Sequence, residues 1–153
     1  MIDAVLTGML WIPVQDGDAR ARALYRRHYS ARHYRDGRRP LLFMGPGQKM
    51  ILLTPECDAL LCWRKFRSSD GQCGVSCNIF RNEGPRLSSD LIREACTLAW
   101  QKWPGKRLYT YVADAKVKSP NPGYCFKQAG WRMCGRNKDG RLTILEKVPE
   151  EVL

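Results

Sequence analysis

The chain holds only two histidines, and one of them opens the triplet His28-Tyr29-Ser30. Imidazole is the side chain whose proton affinity lies nearest neutral pH. His28 beside the Tyr29 hydroxyl is therefore a candidate for proton transfer. Asp114 follows an apolar run, residues 108–113, that reads as a strand. A carboxylate at the C-terminal end of a strand commonly faces the crevice of a mixed sheet, so His28, Tyr29 and Asp114 are expected to converge on one cleft. His28 and Asp114 would equally suit two ligands of a divalent metal, and whether a metal is needed stays open. The competing reading makes His28 and Tyr29 partly buried helix residues and lets Asp114 cap its own turn before Lys116.

The seven cysteines are Cys57, Cys62, Cys73, Cys77, Cys96, Cys125 and Cys134. An odd number and no secretory signal argue against a disulfide framework. Zinc ligands need closely spaced pairs, and no C-x2-C occurs. Cys73 and Cys77, on one strand, would sit about 13 Å apart, too far for one ion. Most of these residues read as reduced, half-buried core thiols. Cys125 is the one thiol worth testing as a nucleophile, because it lies beside Phe126 in a short helical segment.

The cationic groups are less evenly spread. The chain carries 26 Lys+Arg against 15 Asp+Glu, a formal charge of +11. Within residues 20–39 stand Arg20, Arg22, Arg26, Arg27, Arg32, Arg35, Arg38 and Arg39, opposed only by Asp36, with Tyr25, Tyr29, His33 and Tyr34 interleaved. Such a field favours a polyanion, nucleic acid first and an anionic membrane surface second. Arg26, Arg27, Arg38 and Arg39 are the expected nucleic-acid contacts.

These groups need a scaffold. A length of 153 residues fits one domain over 1–153, long enough for a core without staples. No apolar run approaches a membrane span of roughly 18 residues, and Met1 to Val14 lacks a basic leader, so a cytoplasmic location is expected. A strand is expected within residues 5–14. Asp18 can cap a helix from Ala19 that runs through the arginines and breaks near residues 37–40. Short strands follow at 41–44, 50–54, 59–66 and 72–80, the last two joined by the turn-forming Ser68-Ser69-Asp70-Gly71. Ser88 and Ser89 offer caps for a helix whose apolar residues Leu91, Ile92, Ala95, Leu98, Ala99 and Trp103 recur at helical spacing. Leu87 would staple Ile92, and Pro104-Gly105 is the stop. Residues 108–113 are a strand, 124–129 a short helix closed by Gly130, and 131–135 and 142–148 two final strands around Asn137-Lys138-Asp139-Gly140. The order is α+β with a mixed central sheet of about six to seven strands and flanking helices.

That order resembles the GNAT acyltransferase fold over nearly the whole chain. The segment Tyr124-Cys-Phe-Lys-Gln-Ala-Gly-Trp131 resembles the ending of that fold, where a short helix runs into a glycine and an aromatic before the next strand. The resemblance implies that the strand at 72–80 and the helix from Ser88 cradle acetyl-CoA or another acyl-CoA. Phe80, Arg81, Asn82, Ser88 and Ser89 would then be its contacts, with the diphosphate on the helix N-terminus. The physics agrees, since free N–H groups and the positive end of a helix dipole suit a diphosphate. A narrower resemblance is to the phage Mom-like DNA-modification proteins. It is carried in order by His28-Tyr29-Ser30, Phe80-Arg81-Asn82, Ser88-Ser89, Ala113-Asp114, and Gly123-Tyr124-Cys125-Phe126 through Ala129-Gly130-Trp131 to Gly135.

This resemblance implies an acyl-CoA-dependent N-acyltransferase acting on adenine in DNA. A paired base would have to be flipped out or met single-stranded. Two departures support an alternative. The loop at 81–89 has only Gly84 where the family has a glycine-rich motif, and Phe126 stands where its general-acid tyrosine often lies. They favour a catalytically inactive GNAT-like module that binds nucleic acid. A protein N-acetyltransferase is a third reading, less suited to the basic surface because a lysine substrate is itself cationic.

Overall fold

Asp18 starts the first helix, as its residue type predicts: its carboxylate accepts from the amides of Arg20 and Ala21, two donors that a helix start leaves open. The helix is α1 (Ala19–Arg27). The computed structural model describes residues 9–67, 71–113, 121 and 123–149. The predicted turn at Ser68-Ser69-Asp70 and the first part of the expected N-terminal strand lie outside the described residues.

α1 ends well before residues 37–40. His28 already has extended backbone, φ −75° and ψ 144°, and its Nδ1 accepts the Ser30 amide at 3.1 Å. Such a local side-chain bond competes with the helical ladder. The arginine cluster is thereby divided. Arg20, Arg22, Arg26 and Arg27 ride the helix, and Arg32, Arg35, Arg38 and Arg39 lie on the connection of residues 28–47. No strand forms at 41–44 either. The Asp16 carboxylate takes the amides of Phe43 and Met44, at 2.9 and 3.2 Å, and those donors are lost to any ladder.

Among the described residues seven strands form one sheet: β1 (Ile12–Val14), β2 (Gln48–Leu53), β3 (Ala59–Lys65), β4 (Val75–Asn82), β5 (Leu108–Ala113), β6 (Arg132–Arg136) and β7 (Leu142–Lys147). Their order is β1-β2-β3-β4-β5-β7-β6. All neighbours are antiparallel except β4 and β5. The structure is therefore α+β with a mixed open sheet. Helix α2 (Ser88–Lys102) connects the parallel pair, and α3 (Tyr124–Gln128) lies between β5 and β6.

The alternation of side chains gives the sheet two buried faces. Leu61, Trp63, Val75, Leu108 and Val112 pack with Leu91, Ile92, Ala95 and Ala99 of α2 and Phe126 of α3. Leu53, Leu60, Cys62 and Ile79 pack with Ala21 and Leu24 of α1. Leu60 and Leu61 are neighbours in sequence and belong to opposite cores, as a strand covered on both sides requires.

One residue breaks the alternation. Cys62 pairs with Ile79 and Trp63 with Cys77, so Asn78 has no partner on β3 and forms a β-bulge. The extra residue reverses the phase of all that follows. Val75 and Cys77 face α2, and beyond the bulge Ile79 faces α1. Arg81 accordingly turns to α1, where its guanidinium donates to the Arg27 carbonyl at 2.9 Å. Asn82 turns to the start of α2.

Candidate functional site

β4 and β5 pair only as Val75–Leu108, Ser76–Tyr109 and Cys77–Thr110. At the last of these pairs the Thr110 hydroxyl donates to the Cys77 carbonyl at 2.8 Å. Past that point the two strands have no ladder between them, and a crevice opens. Its volume is about 410 Å³, and its walls include His28, Tyr29, Asn78, Phe80, Ser88, Tyr111 and Cys125. A wider basin of about 820 Å³ adjoins it on the α1 side, walled by Arg26, Arg32, Arg38, Arg39, Arg64 and Tyr34. Cys77, Asn78 and Tyr111 line both, so the bulge and the splay together form the passage between them.

The crevice ends at an open helix terminus. The cap position of α2 is Leu87, not Ser88, and no side chain caps the helix. Ser88 is the first helical residue and its Oγ accepts from Asn82 Nδ2 at 3.0 Å. Leu87 is exposed and staples nothing. Asn82 is committed to closing the loop: Nδ2 also donates to the Arg86 carbonyl at 2.7 Å, and Oδ1 accepts the Gly84 amide at 3.0 Å. Ser89 is buried. Of the five expected cofactor contacts, all but Ser89 line the crevice. Phe80 does so while packing edge-on against Phe126, at 5.9 Å between ring centroids.

Arg81 and Glu83 belong to an ion-pair cluster. The Glu83 carboxylate accepts from Arg27 Nε and Nη2 at 2.7 and 2.8 Å and from Arg81 Nε at 2.5 Å. Those guanidinium hydrogen bonds hold the Glu83 carboxyl down at about 2. The cluster ties the end of α1 to the end of β4. Arg27 thus engages Glu83 through Nε and Nη2 and is not part of the basin wall.

His28 and Tyr29 do meet in the crevice, with their rings stacked at 4.3 Å. Asp114 lies outside the described residues. His28 differs from the neutral-pH base its type predicts. Burial, reinforced by the positive charge of Arg81, lowers its pKa from 6.5 to about 4, and the Phe80 carbonyl opposes this only weakly. With Nδ1 accepting the Ser30 amide, the ring proton belongs on Nε2. The imidazole is neutral at pH 7, a hydrogen-bond donor through Nε2 and a weak base.

The remaining candidates are arranged by packing. Phe126 is buried against Trp131 at 5.0 Å, and Tyr124 is exposed and outside the crevice lining. Burial raises the Cys125 pKa above its ordinary value, which disfavours the thiolate a nucleophile needs. Among the described residues no group of three or more His, Cys, Asp or Glu side chains could hold a metal ion. No helix among them is long and apolar enough to cross a membrane.

Asn78 and Tyr111 are the residues that sequence reasoning missed. Asn78 looks like one more strand residue until the register of β3 is known. Tyr111 reads by type as a base-stacking candidate, but its place two residues from Tyr109 on one strand face favours a core pair, and nothing in the sequence puts it at a passage. The chain matches no family model, no curated protein and no solved structure.

Proposed function

We propose that the protein is a GNAT-like acyl-CoA-dependent N-acyltransferase whose acceptor is an amine on a nucleic acid, a Mom-like modification of adenine in DNA. The observation that carries this reading is the splay of β4 from β5 ending at the uncapped N-terminus of α2. Backbone groups beyond the last β4–β5 ladder pair would receive the pantetheine arm. The amides at the start of α2 would take the diphosphate; Arg81 and Arg86 are engaged by Glu83 and Glu56. The sheet order with its one parallel pair supports the same frame.

The two cavities would divide the labour. A thioester in the crevice presents an electrophilic carbonyl at the passage, and the acceptor amine arrives through the arginine-lined basin. Attack forms a C–N bond and breaks the C–S bond; the amine loses one proton and the departing thiolate gains one. His28, neutral and a weak base, suits a positioning role better than removal of a proton. Tyr29 and Asp114 remain the proton-transfer candidates.

Calorimetric titration with CoA and acetyl-CoA tests the donor, and mass spectrometry of nucleosides from cells expressing the chain tests the acceptor. A new acylated nucleoside that vanishes with Asp114→Ala supports the reading. No binding of CoA thioesters at millimolar concentration overturns it. A second reading, an inactive module that binds nucleic acid, draws on Phe126: the position expected to hold a general-acid hydroxyl is a buried phenyl ring.

A further inference from the structure

Residues 28–47 join α1 to β2 without helix or strand. A connection of that length in a compact domain ordinarily has a task. This one is fixed at both feet. At the first, the Arg32 amide donates to the Tyr25 hydroxyl at 2.9 Å. At the second, Asp16 holds the Phe43 and Met44 amides, Phe43 stacks on Tyr25 at 4.9 Å, and Met44 is buried. Between the feet stands Pro40-Leu41-Leu42. Leu41 is 65% and Leu42 62% exposed, two adjacent aliphatic side chains kept in water. They are also backed. The Leu42 Cδ2 and the Leu41 carbonyl lie so near Gly17 that a Cβ there would come within 3.1 and 3.4 Å of them. The pair is thus a supported protrusion.

Its surroundings indicate what covers it. Arg39 precedes Pro40, Arg26 reaches the Arg39 carbonyl at 3.5 Å, and Arg38 lies over the Tyr34 ring at 4.1 Å. Leu42 is part of the wall of the basin, which is floored by Asn78 and Tyr111. The occupant must be anionic where the arginines are and apolar where the leucines are, and it must have a part that can enter a concavity of about 820 Å³. A lipid surface meets the first two demands and leaves the basin empty. Duplex DNA meets all three, with phosphates outside, stacked bases within, and single bases that can leave the stack. Proline and leucine are among the side chains that proteins insert between base steps as wedges.

We propose that Pro40, Leu41 and Leu42 form a wedge that enters the base stack of duplex DNA, so that one extruded base enters the arginine-lined basin and reaches the passage at Asn78. The proposal rests on the nucleic-acid reading of the acceptor given above and adds how a paired base is freed.

The full chain is titrated into a DNA duplex carrying one 2-aminopurine, whose fluorescence rises on unstacking, and into the same labelled strand alone. The wild-type protein is expected to bind both and to raise the duplex signal several-fold. A Leu41→Ser/Leu42→Ser variant is expected to keep its melting temperature and single-strand affinity, to lose the signal rise, and to bind duplex about tenfold more weakly. If that variant melts early, Leu41→Gln, which leaves Leu42 against Gly17, is read in its place. Wild-type binding to both forms without a rise, or an undiminished rise in the variant, overturns the wedge and leaves the acceptor reading standing. Binding to neither form removes both. A rise with an RNA duplex alone overturns the assignment to DNA. Association with phosphatidylglycerol vesicles that the leucine changes abolish, with DNA binding unaltered, assigns the pair to a membrane and overturns the wedge as well.

Discussion

His28 should make the protein acid-sensitive in a pH range where its carboxylates do not. The folded-state pKa is about 4, against 6.5 for the free side chain. Between those values the unfolded chain takes up a proton that the folded chain refuses. Protons therefore favour unfolding, and stability is full above pH 6.5, falls as the pH drops toward 4, and loses nothing more from this residue below that. The difference of 2.5 in pKa corresponds to about 3 kcal/mol as an upper bound, since each pKa step of one is worth about 1.4 kcal/mol. Glu83, Glu56 and Glu146 also have lowered pKa values, but their losses begin only as the pH falls through the ordinary carboxylate value of 4.5, so the fall between pH 6.5 and about 5 belongs to His28. Urea unfolding at pH 7, 6, 5 and 4 is the assay, on wild type and on His28→Asn, whose amide oxygen can still accept the Ser30 amide. The wild-type free energy should fall more steeply than the variant's over that range. A difference between the two proteins that stays constant from pH 7 to 4, or a resonance assigned to the His28 imidazole that titrates near 6.5, refutes the reasoning. The latter would also restore His28 as a neutral-pH general base.

The basin arginines and Arg27 should separate in a salt titration: Arg26→Ala/Arg38→Ala/Arg39→Ala is expected to lower the salt slope of DNA binding by up to about 3, near one for each phosphate no longer neutralised, while Arg27→Ala leaves that slope unchanged. Thr110→Val removes the hydroxyl that bridges to the Cys77 carbonyl; a loss of about 1 kcal/mol in urea unfolding is expected, together with weaker CoA binding by calorimetry as the splay loosens. Gly84→Ala would drive a Cβ into the Asp58 carboxylate, and its melting temperature should fall by an amount equivalent to about 1–3 kcal/mol, partly recovered by adding Asp58→Ala. A thiol reagent should modify the exposed Cys73 and Cys134 quickly and leave the buried Cys62, Cys77 and Cys96 intact until unfolding.

What could be read from the sequence was local. The Asp18 cap, the helix over Ile92 and Ala95, its stop at Pro104-Gly105 and the final hairpin each rest on residues near one another in the chain. What could not be read depended on distant partners. Helix α1 ends early because of the Ser30 bond to His28 and the tertiary contacts of residues beyond it. Residues 41–44 are apolar like a strand, but Asp16 claims their amides. Cys77-Asn78-Ile79 carries no mark of a bulge, because a bulge is a statement about the neighbouring strand. The site inherits this division: His28, Tyr29, Phe80, Arg81 and Ser88 were accessible as residue types, and the passage at Asn78 and Tyr111 was not.

The two outer strands of the sheet carry a consequence for how the protein behaves at high concentration. β1 has three residues with Pro13 at its centre, which has no N–H to offer a newcomer. β6 at the opposite side bulges at Cys134 and exposes Arg132 and Arg136. A strand from a second molecule meets a missing donor at one side and a kinked, cationic rim at the other. Edge-to-edge polymerisation, the ordinary hazard of an open sheet, is thus opposed at both edges that the described residues form, and copies of the protein can crowd without their sheets joining.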